Sequence, residues 1–112
     1  MELPPEFTWR KTSKYAPAPD TICLGLVCVA RIQQRVDNLQ WQAWLDYHKD
    51  FRQYIIRPCQ NQWTGRDGMV LWVIRHQDRL RDDLAKIREY QEAIAGNRLL
   101  KDRLKPPFDW MG

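Results

Sequence analysis

Residues 22–48 constrain this chain more than any other stretch. Asp37-Asn38 has the chemistry of a two-residue hairpin turn, since both residues tolerate positive φ. Pairing Val36 with Leu39 then sets a register that the side chains can test. One face pairs Val36 with Leu39, Gln34 with Trp41, Ile32 with Ala43, Ala30 with Leu45, and Cys28 with Tyr47. The other pairs Arg35 with Gln40, Gln33 with Gln42, Arg31 with Trp44, Val29 with Asp46, and Val27 with His48. Apolar residues fall almost wholly on the first face, and a one-residue slip would destroy that separation. The stretch therefore predicts an antiparallel hairpin with one buried face.

The residues after the hairpin extend it and then cover it. Phe51–Cys59 is β-branched and aromatic and predicts a third strand. Thr64, with Asp67 three residues on, predicts a helix N-terminus near Gly65, with Trp63 packed at the entry. The helix is expected to run to Ala95, with Gly96 past its end. Val70, Val73, Leu80, Leu84, Ile87 and Ile94 form an apolar seam at three- and four-residue spacing. Arg79 with Asp83 and Asp82 with Lys86 read as solvated i,i+4 pairs on the other faces.

The fold class expected is α+β. Three antiparallel strands in a meander, or four if the N-terminal arm adds an edge strand, pack against one long C-terminal helix. Residues 1–21 form that Pro-rich arm, with Phe7–Lys11 extended between proline pairs. Residues 22–95 form the single domain, with the sheet over 22–59 and the helix over 65–95. Residues 96–112 form a short helical turn and an aromatic tail, Phe108-Asp109-Trp110, behind Pro106 and Pro107. Past about Leu80 the helix is expected to project beyond its sheet. Its seam of Leu80, Leu84, Ile87 and Ile94, with Trp110, is then a candidate surface for a partner or a second copy.

The 112 residues suit one domain, and 44% hydrophobic with 29% charged residues exclude a disordered chain. No apolar run reaches the length of a membrane span and no basic segment leads into an apolar stretch, so a soluble, cytoplasmic protein is expected. The net charge of +4 is spread thinly: residues 1–65 hold 8 basic and 6 acidic side chains, and residues 96–112 hold 4 and 2. That balance permits nucleic acid without demanding it.

Chemistry is sparse. The single serine, Ser13, lies in the arm without a neighbouring histidine. Cys23, Cys28 and Cys59 have no CxxC spacing, and His48 and His76 are isolated, so no metal or other cofactor is expected. Cys23 and Cys28, taken as parts of one strand, point to opposite faces and serve as small hydrophobes. Gly65-Arg66-Asp67-Gly68 is GxxG-like, but Asp67 stands where a phosphate would lie, so it reads as a capping loop. The expectation is a protein that is not an enzyme.

Binding is the remaining class. The open hairpin face carries Arg31, Gln33, Arg35, Gln40, Gln42 and Trp44, residue types that read base edges or stack on bases. A three-stranded sheet backed by one helix resembles, in topology alone, plant AP2 domains and the arm-binding domains of phage integrases, which lay the sheet in the major groove. No motif of either family accompanies the likeness, so it assigns no residues. Six tryptophans, of which Trp9, Trp44 and Trp110 lie outside the expected core, point to association with another molecule. The leading expectation is stoichiometric association with another protein, of the phage or mobile-element accessory or inhibitor kind. A sheet-based nucleic-acid module is the alternative.

Overall fold

Five strands pair in chain order, each antiparallel to the one before: β1 (Phe7–Arg10), β2 (Thr21–Leu24), β3 (Val27–Gln34), β4 (Trp41–Leu45) and β5 (Ile55–Cys59). In this computed structural model, which describes residues 2–16 and 18–96, one helix, α1 (Gln62–Gly96), covers one face of the sheet. The class is the α+β meander expected, with five strands where the sequence predicts three or four. The tail 97–112, including Trp110, lies outside the described residues.

Both additional strands come from the N-terminal part. The arm supplies β1, and its return loop is tied where Thr12 donates from its N and Oγ1 to the Asp20 carboxylate at 2.8 and 2.5 Å. The apolar run from Thr21 reads in sequence as one strand with β3, yet it folds back at Gly25, whose φ is 63°. Glycine with positive φ at the first of two central turn residues is the type II′ hairpin turn, which matches the natural twist of the flanking strands. Leu24 accordingly pairs with Val27, and Cys23 with Cys28. A shift between Ile22 and Cys23 leaves Val29 as an extra residue. The bulge turns Val29 into the core, where it is 2% exposed.

The β3–β4 register is the predicted one from Ala30–Leu45 through Gln34–Trp41. The hairpin differs at both ends. At the tip, Arg35 N donates to Gln40 O (2.8 Å) and Leu39 N to Arg35 O (3.0 Å), making a four-residue loop in place of a two-residue turn. Val36 and Leu39 therefore stand 95% and 67% exposed and do not pair. At the far end Asp46 takes φ 59°, and Tyr47 N donates to Val29 O at 2.9 Å. That inserted residue cancels the predicted Cys28–Tyr47 and Val27–His48 pairs and buries Asp46 and His48. The third predicted strand is shorter than Phe51–Cys59. Asp50 caps a 3-10 turn over Phe51–Gln53 by accepting from Arg52 N, and extended structure begins only at Ile55.

The helix starts at Gln62, ahead of the predicted Thr64 cap, because Asn61 Oδ1 accepts from Thr64 N at 2.9 Å and is the N-cap. Trp63 is 64% exposed and not stapled at the entry. Gly65 permits the close approach: a Cβ there would overlap Ile32 Cδ1 and press on Cys59 Sγ. From that point α1 follows the strands to the opposite end of the sheet, where Arg88 reaches the Gly25 turn. Leu80, Leu84 and Ile87 are 1%, 8% and 4% exposed, so the seam expected to await a partner is covered by the chain itself. The physical reason is the path of the helix along the strands, together with β1. Arg81 lies over the Phe7 ring and donates to Pro5 O at 3.3 Å. Ile22, Leu24, Ile32, Met69, Val73 and Leu80 form the innermost core. Each such side chain contributes about 1.5–3 kcal/mol through burial. Among the described residues, no helix is long and apolar enough to cross a membrane.

Candidate binding face of the sheet

With Ala30, Ile32, Ala43 and Leu45 buried beneath α1, their alternating neighbours point to the side that α1 does not cover, where Thr21 and Cys23 of β2 are nonetheless 1% exposed. The registers then align one row across all five strands: Arg10 opposite Thr21, Thr21 opposite Arg31, Arg31 opposite Trp44, and Trp44 opposite Ile56. At the usual inter-strand spacing the row spans about 19 Å. Gln33, Gln42 and Pro58 make the row on one side of it, and Thr8, Cys23 and Cys28 the row on the other.

Aromatic rings gather at the β4 side. Trp44, Tyr47 and Tyr54 form a closed triad with centroids 5.2–6.2 Å apart, all tilted. Arg31 Nη1 donates to Tyr47 Oη at 3.3 Å, which joins the guanidinium to the triad, and Trp44 Nε1 donates to Gln42 Oε1 at 3.4 Å. Burial pushes the Tyr54 hydroxyl up, with Tyr47 and Asp50 adding to it, so this phenol is uncharged near neutral pH. All three rings are half-buried and keep part of their surface open.

The electrostatics of the strands are one-sided. They hold three arginines, Arg10 and Arg31 on the uncovered side and Arg57, opposite Ala43, on the helix side, and no Asp or Glu. Beside the strands, the Asp20 carboxylate stands at this face, where it accepts from Thr12 N and Oγ1 and from Thr21 Oγ1 (3.1 Å). Asp37 is clamped by Arg35 through Nε (2.8 Å) and Nη2 (2.5 Å), which holds that carboxyl below its ordinary range. Asp50 pairs with Arg52 at 2.8 Å and is likewise lowered by that contact. Asp46 and Asp83 are buried on the helix side.

Of the sequence-predicted face, the structure brings Arg31, Gln33, Gln42 and Trp44 together. Arg35 and Gln40 stand apart in the hairpin loop, where Arg35 is committed to Asp37. Sequence reasoning missed Arg10, Tyr47 and Tyr54, because they arrive from β1, the bulge after β4 and the turn before β5. Of the predicted partner seam, Ile94 alone remains half-buried on the described part of the helix, the other described members being core.

On the helix side His48, Asp46, Asp83 and Arg79 form a cluster with contacts of 2.9–3.2 Å. The His48 side chain is only 1% exposed, so no substrate can reach it and the cluster serves as a structural tie. It also corrects the reading of Arg79–Asp83 as a solvated pair. A cleft of about 300 Å³ opens between β5 and the first turns of α1, lined by Leu45, Arg57, Cys59, Thr64, Met69 and Trp72 among others. Among the described residues no group of His, Cys, Asp and Glu can hold a metal ion. No protein-family model matches the chain, and comparisons with curated proteins and with solved structures gave no match.

Proposed function

We propose that this chain is a non-enzymatic binding protein whose uncovered sheet face takes a single strand of nucleic acid. The observation that carries the reading is the cross-sheet row in which Arg10, Arg31, Trp44 and Ile56 stand to either side of the buried Thr21, on strands that hold no Asp or Glu. Guanidinium groups attract the phosphates, and the aromatic triad offers surfaces on which unstacked bases lie. Duplex bases are already stacked, so a single strand suits these rings better. Gln33 and Gln42 add paired donors and acceptors beside them.

The same face supports a second reading, stoichiometric association with a protein, because Trp, Tyr and Arg are the residues that dominate protein interfaces. Leu26 and Val36, 88% and 95% exposed, stand at opposite ends of β3 and so share no surface for it.

Fluorescence anisotropy of labelled oligothymidine and of a duplex, at about 50 and 200 mM salt, tests the proposal. Single-strand binding that weakens with salt is expected, and Arg10→Ala should flatten the salt slope by about 0.7. Trp44→Ala should cost about 1–3 kcal/mol of binding. No binding at the lower salt overturns the nucleic-acid reading in favour of a protein partner.

A further inference from the structure

The Gly25-Leu26 turn makes Cys23 and Cys28 direct cross-strand partners, with Sγ atoms 3.0 Å apart. In a two-residue hairpin the pair beside the closing pair is the non-hydrogen-bonded kind, with Cα atoms about 4.5 Å apart and side chains close together. That spacing lies inside the range a disulfide spans, so the sulfurs need to close only about 1 Å to bond. The two thiols differ in access: Cys23 is 1% exposed and Cys28 half-buried. Cys59, on β5, is separated from Cys28 by β4 and from Cys23 by β4 and β3.

We propose that Cys23 and Cys28 form a dithiol site for thiol–disulfide exchange that takes a small-molecule disulfide as its oxidant. Cys28, the reachable sulfur, loses its proton to solvent and attacks one sulfur of the small disulfide. A mixed disulfide forms and the first small thiolate leaves. Cys23 then gives its proton to solvent and attacks Cys28 Sγ, forming the Cys23–Cys28 bond and expelling the second thiolate, and each thiolate takes up a proton. The protein loses two electrons, and one small disulfide becomes two small thiols.

In the reduced protein the Cys23 thiol is pushed up to about 12, by burial first and then by hydrogen bonding and charge interaction with Cys28. The contributions of Cys28 lapse once its sulfur is capped, while burial, the larger cause, remains, so the mixed disulfide lowers the Cys23 thiol in part.

The test equilibrates the full chain with oxidised glutathione, quenches with acid, and alkylates in denaturant with N-ethylmaleimide before intact-mass measurement. Reduced protein should take up three maleimides, one for each cysteine. Oxidised protein should take up a single maleimide, carry no glutathione, and weigh about 2 Da less before alkylation. Cys59→Ser should reduce that uptake to zero and leave the mass loss unchanged. Cys23→Ser should stop at a glutathione adduct on Cys28. Wild-type protein that still takes up three maleimides, or that retains glutathione on Cys28, overturns the proposal.

Discussion

His48 Nε2 lies 2.9 Å from Asp83 Oδ2, joining the bulge after β4 to the middle of α1 across 35 residues of sequence. Burial is the larger influence on this imidazole and pushes it below its ordinary 6.5, while Asp83 and Asp46 pull it upward and Lys49 opposes them. Between the lowered value and 6.5 the unfolded chain binds the proton and the folded one does not, so stability rises with pH through that window. Stability from this group is complete above 6.5 and is lost as the pH falls below it. The urea midpoint should therefore drop between about pH 7.5 and pH 5.5, and His48→Gln should flatten that slope. An unchanged slope in the variant would place the titration elsewhere.

Arg79 bridges two carboxylates, donating to Asp46 Oδ1 at 2.9 Å and to Asp83 Oδ2 at 3.2 Å, and both aspartates are 7% exposed at the side chain. Arg79→Met leaves two buried charges short of a partner. Because Arg79 is itself 37% exposed, water screens part of that loss. A destabilisation of about 1–3 kcal/mol is expected in chemical denaturation at neutral pH. A change below about 0.5 kcal/mol would mean that the cluster is solvated.

Gly65 and Gly68 sit one helical turn apart and should respond in opposite ways to alanine. The new methyl at Gly65 meets Ile32 Cδ1 and Cys59 Sγ, so the helix must lift, at about 1–3 kcal/mol. At Gly68 nothing lies within 4 Å, and alanine should stabilise by about 0.5–1 kcal/mol through helix propensity alone. Denaturant midpoints of the two variants check both signs.

Leu39 takes φ 60° at the β3–β4 tip with its side chain 67% exposed, so it bears left-handed strain with little burial to offset it. Leu39→Gly should raise stability by about 0.5–1 kcal/mol. Leu39→Asn should do so by a similar amount, since Asn tolerates this region. The urea midpoint is the readout, and a decrease in both variants would show that the Leu39 side chain packs in solution.

The central hairpin was legible because a period-two pattern with polar residues on one face admits one register, and that register sets the pairs from Ala30–Leu45 to Gln34–Trp41. The long helix was legible from its seam. The fold-back at Gly25 was not, because Ile22 to Ala30 is apolar without alternation and reads equally as one buried strand. Gly25 between hydrophobic runs was the available signal. Half of the candidate face was legible for the same reason as the hairpin: Arg31, Gln33, Gln42 and Trp44 belong to its two strands. Arg10, Tyr47 and Tyr54 reach that face through β1 and through turns whose geometry no local pattern encodes.

The sequence by itself determined the α+β class and the register of the central strands, since these depend on residue type and short-range periodicity. Tertiary structure alone decided that Leu80, Leu84 and Ile87 are core, that Asp83 is buried against His48, and that Cys23 faces Cys28. Each of these outcomes depends on a bulge, a turn or a helix path. A one-residue insertion or a change of packing direction exchanges which face a side chain occupies, and the contacts made across the fold select among such alternatives.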